Sequence, residues 1–144
     1  VAALAECSGP LVVISADTAI SMMAVNAKQE LVGGVILPGP QLSLSALVKN
    51  TAQLPQIDLA AKAPASILGK STSSCLQNGF VLGTASLLDG LAERFCAELG
   101  PQTAFYATGN LPIPIREACC TPILYRETLI TDGLYRIWMK NKKG

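Results

Sequence analysis

Short apolar runs separated by small and polar residues open the chain, and this pattern is typical of strands joined by tight turns. The predicted strands occupy residues 11–14, 20–25 and 31–37. The first run is continuously apolar, which favours a strand buried on both faces of a sheet. A Pro-Gly-Pro sequence beginning at Pro38 ends the third run, and residues 43–53 are predicted to form a helix.

The remaining two thirds of the chain read as helices alternating with short strands. Strands are predicted at residues 103–107 and 123–125, helices at 73–99 and 134–140, and one helical turn within 111–118. Gly100 and Pro101 form a firm helix stop, whereas Asp89 and Gly90 could kink or end the long helix earlier. No repeat or linker divides the sequence, so residues 1–144 are expected to form a single α/β domain with a mixed sheet packed against helices.

Small residues line one face of the long predicted helix. They recur at spacings of three and four residues, at Gly79, Gly83, Ser86 and Gly90. Such a stripe lets another backbone approach closely. We therefore expect this face to pack on another helix, either of this chain or of a second subunit.

Charge is sparse and nearly balanced. Half of the 144 residues are apolar, 15% are charged and the formal net charge is +1. This composition provides no basic field, so neither nucleic acid nor an anionic membrane surface is an expected partner. Basic residues near the end predict a solvated helix end and tail: Arg126, Arg136, Lys140, Lys142 and Lys143.

Membrane and export signals are not expected. The charge-free windows at residues 31–48 and 71–88 are interrupted by proline or by hydroxyl and amide side chains, so neither predicts a spanning helix. The start at Val1 lacks the basic and apolar regions of a signal peptide, which predicts a cytoplasmic protein. The start also lies close to the first predicted strand, as if the chain began within a longer unit.

Cysteine and histidine usage limits the possible chemistry. The five cysteines form no C-x-x-C pair, and the sequence contains no histidine. A thiolate zinc site and a histidine-activated nucleophile are therefore not expected. Adjacent Cys119 and Cys120 cannot readily bridge each other. The cysteines are predicted to be small buried residues of a reducing compartment.

The segment around Gly69, Lys70 and Ser71 resembles a phosphate-binding P-loop only superficially. Pro64 stands where the first glycine of that motif is needed for the backbone to wrap a phosphate. The better prediction is a helix start, with Ser71 or Thr72 as the capping residue.

Two turns are candidate ligand-binding positions. Residues 15–19 follow the first strand with small and hydroxyl side chains, and Thr108, Gly109 and Asn110 follow the strand at 103–107. Ligands of open α/β sheets usually bind at the carboxyl ends of strands. For the turn at Thr108, Gly109 and Asn110, an ordinary turn remains the alternative.

Several short motifs occur in the order found in one kinase family. They are GGVILPG at 33–39, TAQLP at 51–55, GKST at 69–72, DGL with ER at 89–94, ATG at 107–109, and Leu129 with Gly133 and Leu134. In this order and spacing the sequence resembles the type III pantothenate kinases, over nearly the whole chain. The match corresponds to the carboxyl-terminal half of the family's subunit.

The resemblance implies a fold and an activity. The fold would be the ribonuclease-H-like half of an actin- and hexokinase-like (ASKHA) phosphotransferase, in which ATP phosphates bind between the two halves. The family transfers a phosphoryl group from ATP to pantothenate, the first step of coenzyme A biosynthesis. It implies magnesium, a monovalent cation (potassium or ammonium) and a homodimer.

The resemblance also assigns residues to the second phosphate loop of that family. Thr18 and Ala19 match the loop, whereas Ser15 stands where the family has an aspartate and Asp17 where it has a glycine. A serine hydroxyl is a poor substitute for a carboxylate as a ligand of a hard cation. Asp17 adds a negative charge where phosphate should approach, and it is also the alternative metal ligand.

Further residues are implied on the substrate and adenosine sides. Thr72 matches a threonine that contacts pantothenate across the dimer interface. Thr108 and Gly109 match an adenosine-side turn, in which Asn110 replaces a glycine. Asparagine tolerates the left-handed backbone conformation better than most residues, so the turn could be retained.

Two family motifs are not found in these 144 residues. The first phosphate loop, Asp-x-Gly-Asn-Thr, and the Gly-x-Asp-Arg motif that carries the general base belong to the amino-terminal half, so no catalytic residue is assigned here. We therefore expect no phosphoryl transfer by this chain alone. The alternatives are a catalytically inactive relative acting as a dimerisation, binding or regulatory module, and an α/β domain without a ligand.

Overall fold

One mixed sheet forms the centre of the computed structural model, which describes residues 1–142. Lys143, part of the predicted basic tail, lies outside the described residues. Within that range the sheet has five strands: β1 (Leu11–Ala16), β2 (Ala19–Val25), β3 (Leu31–Pro38), β4 (Ala104–Gly109) and β5 (Ile123–Tyr125). Their order is β3-β2-β1-β4-β5. β2 runs antiparallel to both β1 and β3, whereas β4 runs parallel to both β1 and β5.

Helices cover both faces of this sheet. In the described range they are α1 (Ala2–Glu6), α2 (Pro40–Lys49), α3 (Thr72–Leu99), α4 (Ile113–Ala118) and α5 (Leu129–Lys142). The main core forms between one sheet face and α2, α3 and α4, and a smaller cluster forms on the other face beneath α1 and α5. The predicted α/β fold with a mixed sheet packed against helices is confirmed.

The alternation of β1 explains why its sequence is apolar throughout. Val12, Ile14 and Ala16 point into the main core, whereas Leu11 and Val13 belong to the smaller cluster on the opposite face. Successive side chains of a strand point to opposite faces, so a strand covered on both sides requires apolar residues at nearly every position.

Helix boundaries differ from the predicted ones in three places. α2 begins at Pro40 and ends at Lys49, rather than spanning 43–53, because proline is favourable at the first helical position. Thr51 lies beyond the end of this helix, and its hydroxyl donates a hydrogen bond to the Leu47 carbonyl. α5 begins five residues earlier than predicted, at the buried Leu129. The five-residue α1 was not predicted, and its N-cap makes no side-chain hydrogen bond in the described chain.

The start of α3 follows the predicted capping chemistry. Ser71, rather than Thr72, is the N-cap, and its hydroxyl accepts a hydrogen bond from the Ser74 backbone N–H. The Ser74 hydroxyl accepts in return from the Ser71 N–H, which completes a capping box. This reciprocal pair satisfies two backbone donors that would otherwise lack helical acceptors.

Asp89 neither ends nor kinks α3, which continues to Leu99. Its carboxylate accepts backbone N–H hydrogen bonds from Cys120 at 2.9 Å and Thr121 at 2.8 Å. Burial alone would raise the pKa of Asp89, but these hydrogen bonds outweigh it and hold the pKa below its ordinary value. Asp89 thereby anchors the loop that leads into β5.

Replacing Asp89 with asparagine is expected to lower the free energy of unfolding at pH 7 by about 1–2 kcal/mol, because charge-assisted hydrogen bonds to the loop are lost. The pKa of Asp89 is lower in the folded protein than in the unfolded chain. Its carboxylate therefore contributes fully to the free energy of unfolding above the unfolded-state pKa, and this contribution disappears as pH falls through the folded-state pKa. Urea unfolding at pH 7 and at low pH measures this, with Glu98→Gln on the exposed surface of α3 as control. If the free energies of unfolding of Asp89→Asn and wild type differ by the same amount at both pH values, the Asp89 carboxylate does not anchor the loop through its charge.

The small-residue stripe of α3 is open in this chain. Gly79, Gly83 and Ser86 are exposed, and a Cβ built at Gly79, Gly83 or Gly90 would meet no non-neighbouring atom within 4 Å in the described structure. The expectation that the stripe packs against a helix of the same chain is therefore wrong. The option of a second subunit stays a prediction.

The cysteines are less buried than predicted. Cys75 and Cys120 are exposed, while Cys7, Cys96 and Cys119 are partly buried, and all are unbridged in the described residues. The expectation of uniformly buried thiols is wrong because Cys75 faces outward on the first turn of α3 and Cys120 lies in a surface loop. Burial, together with the charges of Asp89 and Cys120, raises the pKa of Cys119 to about 11, which makes it a poor nucleophile.

The basic residues near the end of the chain are mostly solvated, as predicted, although some have partners. Arg126 forms an exposed ion pair with Glu6 of α1, at 3.3 Å, and the Lys142 ammonium lies 4.9 Å from the centre of the Trp138 ring. Neither contact contributes much, because both are open to solvent. Among residues 1–142, the structure contains no helix with the length and apolar character needed to cross a membrane.

Candidate functional site

Two of the predicted turns lie side by side because of how β1 and β4 pair. The strands are parallel, with Ser15 opposite Thr108 and Ala16 opposite Gly109, so their carboxyl ends reach the same sheet edge. The Asn110 N–H donates to the Ala16 carbonyl at 2.6 Å. The turn after β1 and the turn after β4 are thereby joined.

Two glycines allow this close approach. Gly109 has φ of +94°, and a Cβ there would overlap the Ala16 carbonyl. Gly39 donates its N–H to the Thr18 carbonyl at 2.8 Å, and a Cβ there would overlap the carbonyls of Asp17 and Thr18. Only glycine fits both positions, which gives a physical reason for Gly109 in the ATG motif and for the last glycine of GGVILPG.

A cleft of about 410 Å³ opens at this edge of the sheet. It is lined by Ala16, Asp17, Thr18, Pro40, Gln41, Leu42, Ser45, Asn110, Leu111 and Pro112. The structure therefore brings together three of the predicted site residues, Asp17, Thr18 and Asn110. Among the described residues lining the cleft, Asp17 is the only ionisable one.

The first turn of α2 forms part of the cleft wall. Its N-cap is Gly39, and within the described chain no side chain caps this end. The Gln41 and Leu42 N–H groups belong to the first turn, where backbone donors lack intrahelical acceptors. Such groups, together with the positive end of the helix dipole, favour an anion.

Ser15 and Thr108 lie on the other side of the sheet. They line a separate cavity of about 270 Å³ beneath α5, together with Val13, Leu129 and Leu134 among others. Thr108 is buried, and its hydroxyl donates to the Glu127 carbonyl at 3.4 Å. Ser15 lies within β1, whereas Asp17 lies beyond the last residue of that strand, in the turn. The two residues therefore line different cavities and are not interchangeable positions.

Ala19 and Thr72 are placed outside both cavities. Ala19 begins β2 opposite Pro38, and its carbonyl accepts the Asp17 N–H at 2.9 Å. Thr72 is the exposed first residue of α3 and does not line the cleft. Its contact with substrate across a dimer interface stays a prediction.

Sequence reasoning missed four residues of this region. Gln41 and Ser45 line the cleft from α2, and the Pro-Gly-Pro sequence that places this helix end was the available signal. Arg116 and Tyr125 support the turn after β4 from behind. No pattern in the sequence indicates that these two side chains meet.

The donor set of the cleft does not by itself form a metal site. In the part of the chain that the structure describes, no cluster of three histidine, cysteine or acidic side chains could hold an ion. A magnesium ion commonly uses one or two carboxylates together with substrate phosphates. Asp17 could supply one such oxygen, and the remaining ligands would have to come from nucleotide, water or other protein segments.

Comparison with known proteins gives a consistent family. The family model described as Type III pantothenate kinase matches residues 1–94. Proteins named type III pantothenate kinase are similar to this chain over nearly its whole length. The protein from Koribacter versatilis is 38% identical, and the alignment covers 100% of this chain and 52% of that protein. The protein from Exiguobacterium sibiricum is 35% identical, and the alignment covers 99% of this chain and 55% of that protein. The chain spans about half the length of the curated relatives it matches.

A solved structure agrees with the fold. It is a Campylobacter jejuni protein described as a conserved Baf family transcriptional activator, with a TM-score of 0.68 and 20% sequence identity. The alignment covers 99% of this chain and 63% of that one. At this identity the similarity establishes the fold alone.

Proposed function

This chain belongs to the type III pantothenate kinase family, whose fold is of the ASKHA type, and on that premise we propose that it forms one wall of an ATP-dependent pantothenate phosphorylation site. One observation carries the proposal. Asp17, Thr18, Asn110 and the N-terminus of α2 converge on one cleft at the carboxyl ends of β1 and β4. In open α/β sheets this edge is where ligands bind.

Each side of the cleft would bind a different part of ATP. The Thr18 hydroxyl and the Gln41 and Leu42 N–H groups are donors suited to phosphate oxygens. The turn at Gly109 and Asn110 would contact the adenosine. Magnesium would offset the negative charge of the phosphates, and Asp17 is the cleft residue that could contribute an oxygen ligand to it. A monovalent cation and a cytoplasmic location belong to the same proposal.

This chain alone is expected not to transfer the phosphoryl group. Its 144 residues contain neither the Asp-x-Gly-Asn-Thr nor the Gly-x-Asp-Arg motif, and the cleft offers no general base for the pantothenate hydroxyl. Phosphoryl transfer requires groups on both sides of the reacting phosphate.

A coupled assay for ADP release with purified chain, ATP and pantothenate tests this, with the Koribacter versatilis relative as positive control. We expect turnover from the relative and none above background from this chain. Pantothenate-dependent turnover by this chain that disappears in Asp17→Ala would contradict the expectation.

A binding or regulatory module without catalysis is the second candidate function. The Asp17 carboxylate favours it, because a negative charge lies on the surface that should receive phosphates. Nucleotide binding without turnover would agree with either candidate for the isolated chain. A longer version carrying the two missing motifs separates them, because only the kinase candidate predicts that it turns over.

The open stripe of α3 is the proposed homodimer contact. Gly83 is exposed at its centre, and its lack of a side chain would allow a second helix to approach closely. Gly83→Leu is expected to shift the sedimentation equilibrium from dimer towards monomer. Glu98→Leu adds an exposed leucine to the same helix off the stripe and should leave the equilibrium unchanged. A wild-type chain that stays monomeric at high concentration would refute this contact.

A further inference from the structure

The turn after β4 is held from behind by two side chains that do not line the cleft. The Tyr125 hydroxyl of β5 donates to the Gly109 carbonyl. The Arg116 Nε of α4 donates to the Leu111 carbonyl at 2.6 Å. These acceptors flank Asn110, the residue of the turn that faces the cleft.

The two supporting side chains also contact each other. The guanidinium of Arg116 stacks over the Tyr125 ring, 3.5 Å from its centre. Such cation–π contacts are attractive, and the planar guanidinium keeps its Nε donor directed while its face lies on the ring. Arg116 and Tyr125 therefore act as one unit joining α4 to β5.

The turn needs this support because its glycine is conformationally free and its anchors are few. Gly109 has φ of +94°, a region that glycine enters without strain, and it has no side chain that could fix the turn. On the β1 side the turn is fixed by the Asn110 N–H bond to the Ala16 carbonyl. On the other side, the bonds from Tyr125 and Arg116 fix the carbonyls.

We propose that Arg116 and Tyr125 are positioning residues that set the shape of the nucleotide-facing turn at Gly109–Asn110. This inference rests on the proposed function for the identity of the ligand. Its structural part, that the pair fixes the turn, stands independently of any ligand. Neither residue belongs to the motifs that carried the family resemblance.

Conservative variants separate positioning from general stability. Tyr125→Phe keeps the ring under Arg116 and removes only the hydroxyl that reaches Gly109. Arg116→Lys keeps the charge and loses the planar Nε donor. Tyr135→Phe and Arg136→Lys make the same chemical changes on the exposed surface of α5, away from the turn, and serve as matched controls.

The first readout needs no ligand. In ¹⁵N-resolved NMR spectra, the amide signals of Asn110 and Leu111 are expected to move in Tyr125→Phe and Arg116→Lys, and to stay in place in the two controls. The second readout is calorimetric titration with ATP and magnesium. We expect each test variant to bind about five- to tenfold more weakly, equivalent to the loss of one hydrogen bond of about 1–1.4 kcal/mol, with melting temperatures close to wild type.

The outcomes distinguish the two proposals. Unmoved Asn110 and Leu111 signals in both test variants would overturn the positioning inference, whatever the ATP result. Moved signals with unchanged ATP affinity would also overturn it, because the turn would then not serve the nucleotide. If wild type itself binds no ATP, the proposed function fails, and the amide signals alone decide whether the pair fixes the turn.

Discussion

Gly109→Ala is expected to lower the free energy of unfolding by about 3 kcal/mol or more, the largest effect expected of an alanine at any glycine in the described residues, because Gly109 combines a positive φ with a backbone overlap. The cause is local to the junction of β1 and β4. At φ of +94° an alanine is strained, and its Cβ would overlap the Ala16 carbonyl. The same overlap would break the hydrogen bond from the Asn110 N–H to the Ala16 carbonyl, which joins the two turns of the cleft.

Gly9→Ala is the matched control for this experiment. It adds the same methyl group at a position outside the left-handed backbone region, where the described structure has nothing within 4 Å. This variant should be at least as stable as wild type, with a gain of up to about 1 kcal/mol, because alanine reduces the conformational entropy of the unfolded chain. Urea unfolding measures both. Equal effects from the two substitutions, or a Gly109→Ala protein as stable as wild type, would contradict the structure of this junction.

Asp17→Asn is expected to strengthen ATP binding about tenfold, or about 1.4 kcal/mol. The carboxylate lies in the cleft proposed to receive phosphates, beside the open N-terminus of α2. Two like charges about 4 Å apart near a protein surface repel by about 1–4 kcal/mol, depending on the effective dielectric constant. The amide has nearly the same shape and removes only the charge.

Calorimetric titration with ATP and magnesium measures this effect, and Glu98→Gln removes a carboxylate at a distant exposed position as control. The gain in affinity should shrink as salt is raised, because screening weakens repulsion at an exposed site. An Asp17→Asn protein that binds ATP more weakly than wild type would show that Asp17 contributes a ligand to magnesium instead.

The strands were predictable because burial constrains their residues on both faces. The unbroken apolar run at residues 11–14 predicted a strand buried on both faces, and β1 does contribute side chains to both core clusters. Ser71 was a predictable cap because its hydroxyl has a specific backbone partner. Such local rules operate over a few residues, so they can be read without knowing the rest of the fold.

Long-range contacts decided what could not be predicted. α1 is too short to show a helical period, and its position depends on packing against α5. α5 begins at Leu129 because that side chain is buried under the sheet. The stack of Arg116 on Tyr125 joins residues from two elements, and neither position carries a distinctive pattern.

The candidate site shows the same division. The turn residues Asp17, Thr18 and Asn110 were identified from sequence and do share a cleft. Ser15 and Thr108 lie within β1 and β4, opposite each other in the parallel register, and both line the cavity beneath α5. Asp17 and Asn110 lie beyond the ends of these strands and line the cleft, and only the structure shows where the strands end. The motif residues therefore predicted which edge of the sheet carries the site, but not which of them line the cleft and which line the cavity beneath α5.

The most direct test of the proposed nucleotide-binding wall is an NMR titration of the isolated chain with ATP and magnesium. If the account is correct, amide signals of Asp17, Thr18, Gln41 and Asn110 move together and saturate with one dissociation constant. Signals that stay in place at these positions while others move would contradict it, for example signals around a third cavity, between α3 and the start of β5, that Glu93, Cys96 and Thr121 line.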